Sequence, residues 1–511
     1  MATAWQTFPI EFRGGLISNL SPLQQGINAV GSATILQNFE PSKEGGYRRI
    51  NGFTKFSESE VPGFGVILGV KVSSPDEILA VRNNGSVSAV YHGTGGAWSL
   101  KATAALAGGK CRFADFNFAG THKIAIVDGA NYPAIYDDSL NTVTYMTAPS
   151  ELEGATHVAV FKGTVFYAKG NRLHFSAPFN ESDFTSANGS GTISVSHTIT
   201  GLIVFREQLI IFSRNKIQRL VGSTVSDFVV QPITDSIGCL DPDTIQEVGG
   251  DIMYLAPDGL RLLSATDRIG DFGLEVASDP ISADTKKFTE VSVSYSSIVI
   301  REKAQYRIFG YVGSEQAQTA QGLIATKFSA QGAGNVAWAT TAGIKAYVAD
   351  SKYTSSSEQI VFANEDGYVY ELEVGSSFDG RPIEAIYESP YMAVTDPRTR
   401  KTFYKLTTYL ELNGSVSITL GVKYDFDRER GYEVLQPQTD VIESTGSSVF
   451  FYGAPNTVYG SATYGGVLDS VYENVLIGSG KTIALRISDT STNPSFSLDT
   501  AIIEFAQNDR Q

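Results

Sequence analysis

Few residues in this chain sit where their types and spacing could do chemistry. Basic side chains cluster twice, at Arg48-Arg49 and at Arg398-x-Arg400-Lys401, with Lys405 beyond. One reading is solvated loop charge or an intrachain salt bridge. The other is a contact to an acidic neighbouring subunit or to DNA phosphates. Asp425-Phe426-Asp427-Arg428-Glu429 is acidic enough for a cation, yet lacks the sixth-position Gly and twelfth-position Glu of a calcium loop. A solvated strand end explains it better. His157 and His174 have no Cys nearby to complete a metal site, and ordinary strand positions account for them. Cys111 and Cys239 read as two buried free thiols rather than a redox pair. Asp115, Asp235, Asp258 and Asp366 are the carboxylates a glycosidase would need in pairs. None lies in a Ser-x-Asp-x-Gly-x-Thr-Trp box, and Asp258 and Asp366 each open an Asp-Gly turn. No Walker A loop, dinucleotide fingerprint, HExxH or nucleophile elbow is present. With five histidines in 511 residues, the commonest general base is scarce. The expectation is no enzyme, no cofactor and no metal.

Composition narrows the class further. Charged residues are 18% and hydrophobic residues 42%, which excludes a disordered polyelectrolyte. The net charge of −15 opposes a protein that grips nucleic acid by neutralising phosphates over a broad surface. The first residues show neither a basic nor an apolar leader region, and no run of about 18 apolar residues could span a bilayer. Two cysteines are no disulfide framework. Synthesis in a cytoplasm is the expectation.

The elements that must position these residues are strands. Fifty glycines with 24 tyrosines and 29 phenylalanines suit short strands and tight turns. Hairpin turns flanked by alternating apolar residues occur at Asn84-Gly85, Asp128-Gly129, Lys162-Gly163, Arg206-Glu207, Asp258-Gly259, Glu302–Ala304 and Asp366-Gly367. Their recurrence at roughly 40–50 residues is the period of a propeller blade. Runs such as Leu202-Ile203-Val204-Phe205 are apolar on both faces, as strands between neighbouring blades must be. Gly313–Gly322 reads as an inserted loop, and Asp279–Phe288 as one short helix.

The chain is therefore mainly β: a β-propeller-like repeat of six or seven blades over 61–390, with a flanking β-sandwich over 391–511. Residues 1–60 have no blade-like hairpin; they are expected to be extended and to pack with the C-terminal domain. From Pro390 on, strands are expected at Phe403–Leu412, Ser415–Tyr424, Ser448–Tyr452, Val475–Ile477, Thr482–Ser488 and Thr500–Glu504. A glycan- or protein-binding propeller module is one function such a chain could have.

Three segments in order resemble something more specific. The first is Phe12-Arg13-Gly14-Gly15-Leu16, then Leu36-Gln37-Asn38-Phe39, then Gly45-Gly46-Tyr47-Arg48-Arg49-Ile50-Asn51-Gly52-Phe53. The second is Phe175-Ser176-Ala177-Pro178-Phe179-Asn180 with Phe184, followed by Ile237-Gly238-Cys239-Leu240 and Leu255-Ala256-Pro257-Asp258-Gly259. The third is Asp379-Gly380-Arg381-Pro382-Ile383, Ser389-Pro390 and Arg400-Lys401-Thr402-Phe403-Tyr404. Together they resemble the tail hub, or nozzle, proteins of short-tailed bacteriophages, also called packaged-DNA stabilisation proteins. The resemblance implies a virion protein forming a homohexameric ring below the portal and adaptor rings. It also implies contacts with tail fibres or tailspikes, transient contact with the phage genome during ejection, and no catalytic residues. In that setting Arg48, Arg49, Arg398, Arg400 and Lys401 are the candidate subunit or DNA contacts.

Overall fold

A computed structural model describes residues 5–118, 120–263, 276–313, 321–327, 336–354, 357–425, 438–444 and 468–508. Seven antiparallel sheets form a β-propeller over 64–372. Blades 1 to 4 are four-stranded meanders at 64–103, 112–145, 157–194 and 199–234. Blade 5 has three described strands at 246–262, blade 6 covers 294–342, and blade 7 covers 348–372. The innermost strand of blade 7, Val348–Tyr353, packs on that of blade 1, Phe64–Ser74, and the ring closes. Each of the seven hairpin turns read from the sequence belongs to a different blade. Their uneven spacing arises because some join the first and second strands of a blade (Lys162-Gly163) and others the second and third (Asp128-Gly129).

Burial on both faces is realised one strand further out than expected. Leu209, Ile210, Ile211 and Phe212 are all buried: Leu209 and Ile211 pack toward blade 3, Ile210 and Phe212 toward blade 5. In the innermost run Leu202–Phe205 only Phe205 is buried, because an innermost strand also borders the axial opening.

The chain before blade 1 is a strap of five short strands: β1 (Gln6–Glu11), β2 (Ile35–Gln37), β3 (Phe39–Pro41), β4 (Tyr47–Arg49) and β5 (Phe53–Lys55). A helix, α1 (Pro22–Asn28), interrupts it where the sequence reading had only turns. Ser21 accepts the Gln24 amide at its N-terminus and Pro22 stands at the first helical position, a local start signal. β1 and β4 pair with Phe496–Gln507. β2 lies antiparallel to Ile383–Glu388 and parallel to the last strand of blade 6 through Gln37 and Thr340. β5 is the fourth strand of blade 7, pairing with Val369–Leu372. The boundaries thus differ from those drawn on the sequence: 53–55 belongs to the propeller, and 383–388 to the sandwich.

The sandwich has two layers. One holds Leu468–Gly480, Lys401–Leu412 and Phe496–Gln507, continued by β4 and β3. The other runs Gln438–Ser444, Val416–Tyr424, Ile483–Ser491, Ile383–Glu388, β2, and then into blade 6 as one nine-stranded sheet. Between the layers Phe12 and Tyr47 pack on Tyr387, with ring centroids 5.1 and 5.5 Å away. Tyr47 donates its hydroxyl to the Gly31 carbonyl (2.7 Å) and accepts the Gly15 amide (3.0 Å), tying two bends of the strap together. Gly15 has φ +72°, and a Cβ there would meet the Trp338 backbone at 2.7 Å, so only glycine fits between strap and blade 6. The expected helix near 279–288 is present as a 3-10 turn followed by α2 (Ser282–Val291). Of the stretch read as an inserted loop, 314–320 lies outside the described residues, while Gln321 and Gly322 begin a blade 6 strand. The strand expected at 448–452 also lies outside them.

Candidate functional site

All seven innermost segments contribute to an axial cavity of about 200 Å³. Its lining alternates charge rather than leaving it free. Lys110 and Arg112 of blade 2 reach Asp243, in the turn that enters blade 5. The Lys110 Nζ is 2.9 Å from Oδ2, and the Arg112 Nε is 3.0 Å from Oδ1. Blades 2 and 5 are not neighbours, so these ion pairs span the axis. Arg112 also donates to the Thr156 carbonyl of blade 3, and Ser297 of blade 6 to the Asp243 carbonyl. Burial raises the Asp243 pKa, but Lys110 and Arg112 outweigh it and hold the carboxyl below its ordinary range. On the seam of blades 7, 1 and 2, Lys71 bridges Asp350 (3.4 Å) and Asp115 (2.9 Å), and Lys352 pairs with Asp115 (2.9 Å). Burial opposes the Lys71 charge, and the two carboxylates overcome it, so its pKa is raised.

Such a lining can hold blades together; it offers no ready nucleophile or base. Cys111 lines the cavity, and burial pushes its thiol well up, which keeps it protonated and unreactive. His157 also lines it, and burial followed by Arg112 brings its pKa down to about 3, so the ring is neutral. Cys239 is a second free, buried thiol, pushed up to about 12 by burial. The four carboxylates singled out in the sequence sit on or beside blades 2, 4, 5 and 7. Asp115 has the partners given above, Asp235 pairs with Lys216 (2.6 Å), Asp258 with Arg261, and Asp366 accepts the Tyr370 hydroxyl (2.7 Å). His174 shares a hydrogen bond with Thr192 (3.0 Å). Asp425 accepts the Lys481 and Thr482 amides at 2.6 and 3.1 Å, while 426–429 lie outside the described residues.

A second polar cluster locks strap, propeller and sandwich. Arg307 of blade 6 is fully buried and forks between Glu40 of β3 (2.6 Å) and Glu373, just after blade 7 (2.7 Å). Lys303 pairs with the same two carboxylates, each at 2.6 Å. Asn51 adds a hydrogen bond to Glu373 (3.0 Å). Two cations and two carboxylates close a neutral square. Burial raises the Glu373 pKa, yet Arg307 and Lys303 outweigh it and bring it down to about 2. Beside the square, buried Asn38 uses its whole side-chain amide. It donates to the Ala342 (3.1 Å) and Glu384 (2.7 Å) carbonyls, and accepts from the Thr341 hydroxyl and Ala342 amide, both at 2.9 Å. Sequence reading missed Glu40, Lys303, Arg307 and Glu373, because four isolated charges up to 333 residues apart form no linear motif.

The five basic residues singled out in the sequence are not brought together into one surface. Arg49 is fully buried, paired with Asp489 (2.9 Å) and donating to the Ser491 and Asn493 carbonyls (2.6 Å each). Lys401 is fully buried and donates to the Ala393 (2.7 Å), Asp396 (2.6 Å) and Lys481 (3.0 Å) carbonyls. Both are internal ties of the folded chain, which corrects their assignment as surface contacts: a fully buried cation held by partners of its own chain cannot meet a second molecule. A signal was available. Strand alternation puts Arg49 on the face of buried Tyr47, and Lys401 on the face of buried Phe403. Arg48 is half-buried, its side chain without a hydrogen bond or ion pair among the described residues. Arg398 and Arg400 are exposed, and Arg400 donates to the Ser479 side chain and carbonyl, both at 3.0 Å.

No protein-family model matches the chain, and no curated protein matches it. Among solved structures, it is similar to the extracellular domain of the putative hybrid two-component system BT3049 from B. thetaiotaomicron. That match has 11% identity and a TM-score of 0.38, and covers 63% of this chain and 41% of that one. It is also similar to the WD40 repeats of RRP9, with 9% identity and a TM-score of 0.40 over 63% of this chain and 99% of that one.

Proposed function

We propose that this protein is a non-enzymatic structural part of a short-tailed phage virion, the tail hub or nozzle through which DNA leaves. The observation that carries the reading is where the resembling segments fall. Of these, Phe12–Leu16, Leu36–Phe39, Gly45–Phe53, Asp379–Ile383 and Arg400–Tyr404 knit strap, blade 6, blade 7 and sandwich into one body, while Phe175–Asn180, Ile237–Leu240 and Leu255–Gly259 lie in or beside blades 3 to 5. A rigid, interlocked body suits a part that must hold its shape under load. In this reading several copies surround the conduit, six by the resemblance. The duplex passes between copies, because ion pairs cross the propeller's own axis and the cavity there, about 200 Å³, has less volume than a single base pair with its backbone. The net charge of −15 suits a conduit wall that does not hold DNA. Adaptor-ring and fibre or tailspike proteins are the expected neighbours. Imaging of assembled particles tests this: a ring of copies at the end of a tail is expected. Absence of the chain from particles, or tight duplex binding with a steep salt dependence, overturns the reading.

A further inference from the structure

Arg48 has no partner among the described residues, and its position explains why. On β4 its neighbours Tyr47 and Arg49 turn into the sandwich, and strand alternation sends Arg48 to the opposite face. There it stands across from Glu40 of β3. Glu40 is not free to pair with it: Lys303 takes Oε1 and Arg307 takes Oε2, each at 2.6 Å. The Arg48 Nε is shut away from water with no acceptor, and the two terminal nitrogens have none in the protein either. A guanidinium left in this state forfeits hydrogen bonds it had in water, unless something else accepts them.

Arg48 lines a cavity of about 190 Å³ between the β3–β4 turn and the blade 6 hairpin that carries Glu302 and Lys303. The groups around it are donors with protons to spare. Gln305 is 1% exposed, and its Oε1 accepts from the Arg307 Nε (3.3 Å) and Nη2 (3.0 Å), so its amide NH2 is left without an acceptor. Lys303 spends two of its protons on Glu40 and Glu373, and Lys43 gives one to the Glu302 carbonyl (3.3 Å). Ser42 accepts the Glu44 amide (3.2 Å), which leaves its own proton. The acceptors at hand are Glu40, already satisfied, and the exposed rim carboxylates of Glu44 and Glu302. Water would bring two more protons to such a wall, whereas an ion that only accepts matches it. We propose that this cavity binds a small oxyanion of phosphate or carboxylate type, gripped by the Arg48 guanidinium and the Gln305 amide. A guanidinium presents paired N–H groups to two oxygens at once, a fit common to both ions. The bound ion joins strap to blade 6, because Arg48 belongs to the first and Gln305 to the second. Glu44 and Glu302 at the rim oppose its entry and limit its affinity. The site needs only this chain's own residues.

The test titrates full-length protein with sodium phosphate by calorimetry at fixed pH and ionic strength, with sodium acetate in a parallel series. One saturable site with a Kd on the order of 1 mM is expected for at least one of the two ions. Binding of phosphate alone marks a tetrahedral ion as the ligand, and binding of acetate alone a carboxylate. Arg48→Gln should weaken binding at least about tenfold, and Glu302→Gln should tighten it about twofold by removing a rim charge. If Arg48→Gln fails to fold by far-UV circular dichroism, Arg48→Lys, which keeps the charge and loses the paired N–H groups, should still weaken binding about threefold or more. Urea unfolding reads the site independently: about 20 mM of the ion that binds should raise the wild-type midpoint and leave that of the Arg48 variant unmoved. No saturable binding of either ion up to about 50 mM, or binding unchanged in the Arg48 variant, overturns the proposal.

Discussion

Replacing Arg307 with methionine removes one cation from the square of Glu40, Glu373, Lys303 and Arg307. Two buried carboxylates, 3% and 13% exposed, would then share only Lys303. Breaking a buried pair by deleting one partner costs about 3–5 kcal/mol, because the orphaned charge stays desolvated. The Glu373 carboxyl points the same way: burial raises its pKa, and Arg307 with Lys303 overcomes that and holds it below its ordinary range. The sign follows from the direction. A depressed carboxyl contributes fully above its unfolded value, so this stability is present above about pH 4.5 and is lost as pH falls toward 2. Trp338 is the reporter. It is buried, donates to the Ala277 carbonyl (2.9 Å), and its backbone lies against Gly15 of the strap. In a Trp5→Phe, Trp98→Phe background, urea should shift its emission to the red when the strap leaves. At pH 7 the R307M protein should undergo that transition with about 3–5 kcal/mol less stability. R307M with Glu40→Gln should recover at least about 1 kcal/mol, since the neutral partner leaves no unpaired charge. A loss below about 1 kcal/mol for R307M, or no coupling with Glu40→Gln, would refute the claim that this square holds the strap.

Gly15→Ala should cost more than about 2 kcal/mol in the same Trp338 assay, since the new Cβ meets the Trp338 backbone at 2.7 Å with φ at +72°. Lys401→Met should lower stability by about 2–4 kcal/mol in urea denaturation because the buried Ala393 carbonyl and two partly buried carbonyls lose their donor, whereas exposed Arg400→Met should stay within about 0.5 kcal/mol. Cys239, pushed up to about 12, should resist a thiol-specific disulfide reagent at pH 8 in the folded protein and react at once in denaturant; rapid labelling of folded protein would show that its burial is wrong.

Much of the architecture is legible locally. A hairpin needs only a turn dipeptide between alternating apolar residues, so each blade announces itself within a dozen residues, as at Val361–Leu372. The helix at 282–291 and the long strands Lys401–Leu412 and Val416–Tyr424 are likewise visible. α1 was overlooked although Ser21-Pro22 signals its start, because a seven-residue helix offers little periodicity. The sequence places the strap against the C-terminal domain, as β1 and β4 are, but does not show its pairing with blades 6 and 7. β5 completes a blade whose other strands follow some 300 residues later, and β2 joins two sheets through Gln37 and Thr340. Strands of three residues carry no pairing information of their own.

From the sequence alone came the mainly-β class, a repeat of six or seven blades, several strands of the sandwich, and the scarcity of catalytic residue types. These depend on neighbours within one hairpin, where side-chain alternation and turn chemistry are local. Only the tertiary structure decided which charges matter. Arg48 and Arg49 are adjacent in sequence, yet one reaches water and the other is sealed against Asp489. Glu40, Lys303, Arg307 and Glu373 form one neutral square, and Asp243 meets Lys110 and Arg112 across the axis. Electrostatic pairing falls off over a few ångströms in space and is indifferent to separation along the chain, so its partners exist only once ring closure and strap docking have brought them together.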